Sequence, residues 1–392
     1  MKTLKRILAA TTLLVTLGFA SEANAQVPLE NFFKNPEKAG YQISPDGKYF
    51  SYMAPYENRL NLFVQEVGSD KATRITSETV RDLAGSMWAN GHRILYIKDT
   101  AGDENFQLYG VNVDGTDSKA YTAFPKVRTT IIDPLENIDS LVIIGLNKRN
   151  PQVFDPYRLN LNNGELTQLA ENPGNIQGWM TDHNGKLRVA LAIVDGVNTQ
   201  ILYRETEEQP FRPVLTTNFK ETVSFATFTP DNKMVYALTN IGRDKTALVL
   251  MDPATCEEKE VLYTNDKYDI SGLGYSELKK KLISVSCTGH KGTIRHYFDK
   301  NEEAIRTKLE QKLEGYDINT TSEDKSENIR IIYAGGDRTY GTYYTYNVKE
   351  DKLTKIADLA PWIKEEDMVP MHPITYTSRD GLTIEGYLTL PK

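Results

Sequence analysis

Apolar and polar positions alternate in short runs along almost the whole chain, and the runs return behind the same punctuation. In residues 43–54, ISPDGKYFSYMA, a Pro-Asp-Gly-Lys reversal feeds a run in which Tyr49, Ser51 and Met53 alternate with Phe50, Tyr52 and Ala54. Proline presets φ and Gly47 supplies the positive φ of a tight turn, so the stretch predicts a turn entering a strand. Weaker copies put a turn at 88–91 before a strand at 92–97, 133–137 before 140–144, 182–186 before 187–191, 229–233 before 234–238, 276–279 before 282–286, and 322–325 before 329–333. With Asp46, Asn90, Glu136, Asn184, Asp231, Glu277 and Asp324 as markers, the intervals are 44, 46, 48, 47, 46 and 47 residues. A unit of that length holds one four-stranded antiparallel sheet, and such sheets bury their faces by stacking around a ring. Seven copies predict an all-β, seven-bladed β-propeller over residues 26–362. A β-sandwich also has many short strands, but it does not predict so regular a period.

Two stretches depart from the repeat. Between Asp299 and Gly315 the period lengthens to about four: Ala304, Ile305, Leu309 and Leu313 form a stripe, Asp299 with Glu302 resembles a capping box, and Gly315 suits the C-terminal cap. This predicts one helix inserted into the sixth blade and covering its side. Residues 363–392 form a linker and two alternating strands around Asp380-Gly381, a hairpin too short for an eighth blade. Near the start, Leu29, Phe32 and Phe33 share one side of a short helical turn, a face awaiting cover by the propeller or by another domain.

Composition adds the compartment. Residues 1–25 carry Lys2, Lys5 and Arg6, an apolar run, and Ala23-Asn24-Ala25, the pattern of a secretory signal peptide. The expectation is an exported, periplasmic or secreted chain with no membrane span after cleavage. Removing that leader shifts the formal charge from −7 to −9, which disfavours nucleic acid as a partner. Cys256 and Cys287 fall in different blades and read as unpaired thiols, and neither has the close His or Cys neighbours of a metal site. No catalytic, cofactor-binding or metal-ligating set emerges from spacing. His92, His183, His290, His296 and His372 are scattered, and each reads as structural or solvated.

The motifs Pro373-Ile374-Thr375-Tyr376, Arg379-Asp380-Gly381-Leu382 and 386–391, GYLTLP, resemble the prolyl oligopeptidase family of serine peptidases, in its bacterial acylaminoacyl-peptidase and dipeptidyl-aminopeptidase-like branch. The resemblance covers the whole chain after the leader. It implies that 363–392 is a linker and the truncated start of an α/β-hydrolase domain, docked on the propeller rim, which hydrolyses peptides by serine acyl transfer. The chain would then be the non-catalytic, substrate-gating propeller, inactive alone. Gly274-Tyr275-Ser276-Glu277-Leu278 lacks the second glycine of a nucleophile elbow and falls where a blade turn is expected, and Ala334-Gly335-Gly336-Asp337 lacks the histidine of an oxyanion loop. Ser44-Pro45-Asp46-Gly47-Lys48 also resembles TolB-like propellers, so a stand-alone protein-binding scaffold of the cell envelope is the competing reading. A glycan-cleaving propeller would need a paired acid and base, and nothing in the spacing selects one.

Overall fold

The computed structural model describes residues 27–391; the expected leader lies outside them. Seven antiparallel sheets follow one another along the chain, each built from consecutive strands: blade 1 over 39–74, blade 2 over 85–120, blade 3 over 129–168, blade 4 over 176–217, blade 5 over 223–263, blade 6 over 270–297 and blade 7 over 317–358. The first strand of each lines the central channel and the last faces outward.

The turns that set the period are built alike. Ser44 Oγ accepts from the backbone N–H groups of Lys48 (3.0 Å) and Tyr49 (2.9 Å), while Gly47, at φ +74°, donates its N–H to Ser44 O at 2.8 Å. Asp182 with Gly185, Thr229 with Asn232, and Asp324 with Glu327 repeat this arrangement three residues apart, each second residue at positive φ. A hydroxyl or carboxylate thus satisfies the buried end of the first hairpin in these four blades. Asp324 occupies the place of Ser44 rather than of Asp46, a two-residue offset within the predicted repeat.

The core lies between neighbouring blades, in their two middle strands. Leu95 and Leu108 of blade 2 pack with Val142, Ile144, Leu146 and Leu159 of blade 3. Val189, Ile201 and Tyr203 of blade 4 pack with Val235, Ala237, Val249 and Met251 of blade 5. Such strands are covered on both faces, which is why 141–146 reads as a near-continuous apolar run. Each fully buried aliphatic side chain there stabilises by roughly 1.5–3 kcal/mol. Among the described residues no strand is exchanged at ring closure. Blade 1 meets blade 7 through Tyr41 and Tyr343 (ring centroids 5.4 Å apart), the Ile43 N–H to Ser322 Oγ (3.1 Å) and the Lys325 N–H to Pro45 O (2.9 Å).

Blade 6 differs from the four-stranded expectation. It has three strands, and the chain then enters helix α2 (Lys300–Lys312) instead of an outer strand; helix α1 is the short turn Leu29–Phe33. Asp299 caps α2 by accepting from the N–H groups of Asn301 and Glu302. Glu302 does not close the predicted capping box: its carboxylate turns to Arg330 and Lys279. Leu309 and Leu313 pack on Ile318, Ile332 and Tyr346 of blade 7, so α2 fills a space between blades 6 and 7. The hairpin of Met371–Thr377 and Thr383–Thr389 is a separate two-stranded sheet outside the ring, with Gly381 at φ +88° in its turn.

Candidate functional site

In an antiparallel meander the first-to-second-strand turns of all blades share one face of the ring. The second-to-third-strand turns and the links between blades share the other. The first face is called lower here and the second upper.

On the lower face the turn of blade 3 is unusually long. Asp133 Oδ1 accepts from the Leu135 N–H at 2.8 Å, its other carboxylate oxygen accepts from the Thr181 hydroxyl, and Leu135, at φ +52°, is buried beside Gly185. Residues 134–140 are thereby held across the channel as a strap. Asn137 Nδ2 donates to Glu277 Oε2 of blade 6 at 3.0 Å, Lys325 Nζ of blade 7 pairs with Asp139 at 2.7 Å, and Asn90 Nδ2 of blade 2 donates to Asp139 O at 3.2 Å. Glu277 also faces His183 Nδ1 of blade 4 at 3.5 Å. Blades that are not neighbours are therefore tied together at this mouth, over a cavity of about 490 Å³ lined by Trp179, Met180, Phe225 and the strap itself.

Electrostatics follow from the crossing. Burial, then the carboxylates of Glu277 and Asp133, raise the Glu136 pKa, because its side chain touches channel water yet is ringed by protein. The hydrogen bond from His183 lowers that of Glu277, and the same bond raises that of His183 above the usual imidazole value. Both shifts favour the charged pair. Each contact is partly solvated, so each is worth at most about 1 kcal/mol.

A second network holds blade 6 to blade 7. Arg330 donates to both oxygens of Glu302 at 2.7 and 3.0 Å, Lys279 bridges Glu302 (2.7 Å) and Glu327 (3.1 Å), and Ser276 Oγ donates to Glu327. Burial alone would raise the Glu302 pKa, but Arg330 and Lys279 bring it below the usual value.

On the upper face the terminal hairpin rests on the ring. Glu385 binds Lys267 and Tyr268 in the link before blade 6, the Tyr387 hydroxyl donates to His290 O at 2.9 Å, and the Met371 N–H donates to Asp337. Tyr376, Leu382 and Leu390 of this hairpin remain exposed. Helix α1 is moored nearby, the Trp362 Nε1–H donating to Asn31 O (2.9 Å) and the Tyr340 hydroxyl to Phe32 O (2.8 Å). Leu29 and Phe33 are nevertheless 69% and 79% exposed, so the propeller does not cover them.

No known family model matches the chain. Over 372 residues it is 29% identical to dipeptidyl aminopeptidase BIII of Pseudoxanthomonas mexicana, an alignment spanning 92% of this chain and 52% of that protein. Along its propeller the chain is similar to proteins of the prolyl oligopeptidase family. Dipeptidyl peptidase family member 6 of Caenorhabditis elegans is 26% identical over 403 aligned positions, covering 97% of this chain and 53% of that one. Among solved structures, a prolyl endopeptidase superposes with a TM-score of 0.63 and prolyl oligopeptidase B from Galerina marginata with 0.59, both at 12% identity and over 91% of this chain. They cover 54% and 56% of those structures, which at this identity speak for the fold. The chain thus spans about half the length of the relatives it matches.

Against the family's catalytic motifs, the described residues arrange as follows. Gly274-Tyr275-Ser276 lies in the inner strand Ile270–Ser276 of blade 6, not in the turn where the repeat put it. Its serine is buried and bonded to Glu327, whereas a nucleophile elbow exposes its serine. Ala334 to Gly336 ends the strand before a hairpin. His183 contacts Phe228 O (2.9 Å) and Glu277, His290 faces Glu385 (3.9 Å), His296 stacks on Tyr263, and His92 and His372 are exposed. Among the described residues no histidine side chain bonds a serine, and no three His, Cys, Asp or Glu cluster as metal ligands. Cys256 and Cys287 are not joined. Among these residues no helix is long and apolar enough to cross a membrane. The strap escaped the sequence reading; its only local sign is the length of the interval between Asp133 and Leu141.

Proposed function

We propose that this propeller admits substrate to an exported peptidase, in which an α/β-hydrolase domain sits on the upper face and cleaves peptides by acyl transfer to a serine. The observation that carries the reading is the terminal hairpin. It is tethered to the ring by Lys267, Tyr268 and His290 but is not part of any blade, and it turns Tyr376, Leu382 and Leu390 outward. A two-stranded ribbon is at best marginally stable alone and needs a further layer. Helix α1, with Phe33, and the link residue Phe219 present more uncovered apolar surface, which suits a large docked partner. The names of the relatives supply the reaction class.

Substrate would enter at the upper side, because the strap crosses the lower mouth. A domain that carries no nucleophile gates by steric exclusion: folded proteins are kept from the catalytic groups, and short or unfolded peptides pass. Export follows from the basic, apolar and small-residue order of 1–25. The test has two arms. The purified chain is incubated with dipeptidyl anilides and a serine-directed phosphonate; neither turnover nor labelling is expected. The reading frame is then followed past the Lys392 codon, and the product of the whole frame is expected to encode a Gly-x-Ser-x-Gly elbow and to cleave the anilides. Turnover by the chain alone would overturn the non-catalytic role, and a frame that closes without such a domain would favour the scaffold reading.

A further inference from the structure

Blade 6 ends one strand short. The other six blades close on a fourth strand, which pairs with the outward edge of the third. In blade 6 the third strand, Gly292–Tyr297, is itself the edge: it pairs with Lys281–Gly289 on one side and, among the described residues, with no strand on the other. The ladder fixes which backbone groups are left over. The Phe298 N–H donates inward to Ile283 O at 2.8 Å, and antiparallel alternation then turns Ile294 and His296 inward and Thr293, Arg295 and Tyr297 outward. Among the described residues, the N–H and C=O groups of those three have no hydrogen-bond partner. Helix α2 follows directly but turns onto blade 7, where Leu309 and Leu313 pack and Arg306 bonds Ile318 O at 2.7 Å. Thr293 and His296 stay exposed, and Ile294 is 41% exposed. An open edge of this kind is a template for pairing with another chain.

The side chains say which chain. Residues 289–298, GHKGTIRHYF, hold Lys291 and Arg295 and no carboxylate. Arg295 bonds the Asn319 amide oxygen at 3.4 Å, and among the described residues no carboxylate forms an ion pair with it. Of the carboxylates whose charge reaches it, Glu310 pairs with Arg306 at 2.6 Å and Asp317 lies at the start of blade 7. On the opposite face of the strand, Ile294 and Phe298 are exposed apolar groups on either side of His296. A second copy of this chain is a poor match. Two-fold pairing centred on Arg295 would set that residue against its own copy, and pairing centred on Thr293 would set Lys291 against Arg295.

We propose that another protein donates the fourth strand of blade 6: an extended segment with an acidic residue between two apolar ones, paired antiparallel to Gly292–Tyr297. Its backbone would bond the outward N–H and C=O groups of Thr293, Arg295 and Tyr297, which supplies affinity. Its acidic side chain would stand opposite Arg295, and its apolar pair opposite Ile294 and His296, which supplies choice of partner. The site lies on the outer rim, away from both mouths of the channel.

The test is amide hydrogen exchange of the purified chain, alone and with the peptide acetyl-Thr-Val-Glu-Val-Thr amide. Alone, Thr293, Arg295 and Tyr297 should exchange at least about ten-fold faster than Ile294 and His296, after correction for intrinsic rates. The peptide, at about ten times its Kd, should slow those three about ten-fold and leave the rest of the ring unchanged. Its analogue with lysine for glutamate should bind about five-fold more weakly, and Arg295→Glu should reverse that preference. Thr293→Pro removes an outward N–H without touching the ladder, so it should weaken the peptide while circular dichroism stays that of the parent. If either variant does not fold, the comparison of the two peptides on the parent decides. No binding, equal binding of both peptides, or slowing elsewhere than at the three amides would overturn the proposal. Protection of those amides before peptide is added would overturn it too. Protection that rises with protein concentration would give the edge to a second copy, and protection confined to the whole-frame product would give it to a segment of the same polypeptide. The readout needs no catalysis, so loss of the peptidase reading would leave this site standing.

Discussion

Arg330→Met probes the joint between blades 6 and 7. The Arg330 guanidinium is almost wholly buried and forms a fork with Glu302, whose side chain is 10% exposed. Removing one partner of a buried pair costs about 3–5 kcal/mol, because the other charge is left desolvated. Lys279 stays within 2.7 Å of Glu302, so the low end, about 3 kcal/mol, is appropriate. Unfolding entropy of about 2.1 cal/mol/K per residue over residues 27–391 gives about 0.77 kcal/mol/K, so the melting temperature should fall by about 4 °C. Glu302→Gln in the same chain should recover part of the loss, since position 302 then carries no charge to be left without Arg330. The pH dependence has a defined sign. The folded pKa of Glu302 is depressed, so its contribution is present above the unfolded value near 4.3 and is lost as pH falls through the folded value. Calorimetric scans at pH 7 and at pH 3.5 measure both effects. A drop under about 1 °C at pH 7, or a gap between parent and Arg330→Met that widens in acid, would refute the reasoning.

Four smaller effects follow from the same structure. Lys325→Met should cost less than about 1 kcal/mol, as an exposed pair does, yet should speed amide exchange at 135–139. In the parent, exchange there, corrected for intrinsic rates, should also quicken as pH rises through the raised His183 pKa, because the imidazolium–Glu277 pair is then lost; unchanged protection would contradict the latch. Gly47→Ala should destabilise by about 1–3 kcal/mol, since φ is +74° and the new Cβ would lie 3.1 Å from Asp324 Oδ2; a melting temperature equal to the parent's would remove that argument. Burial pushes the Cys256 thiol up to about 11 and raises that of Cys287, so iodoacetamide at pH 8 should modify neither in the folded chain, and rapid labelling would count against their burial.

The blades were legible because the first turns of blades 1, 4, 5 and 7 pair a side-chain acceptor with a residue at positive φ, a local device that Ser44-Pro45-Asp46-Gly47 displays in full. Helix α2 was legible from its stripe and Asp299 cap. Its replacement of a strand was not, since strand count depends on what the neighbouring blade leaves open, and Leu309 answers to Ile332 of blade 7. The strap was hidden for a similar reason: Asn137 and Glu277 are 140 residues apart. Ser284 read as an ordinary strand residue and Gly274 as part of a blade turn until register set them side by side. One signal was present, the alternation of glycine and serine with apolar residues along 271–287, which marks a sheet face that nothing apolar covers.

The account stands most directly on where a second domain sits. An electron cryomicroscopy structure of the whole-frame product should show a hydrolase domain on the upper face, burying Tyr376, Leu382 and Phe33 while the 134–140 strap stays bonded to Glu277 and Lys325. A domain seated over the strap, or those apolar side chains left in solvent, would contradict it.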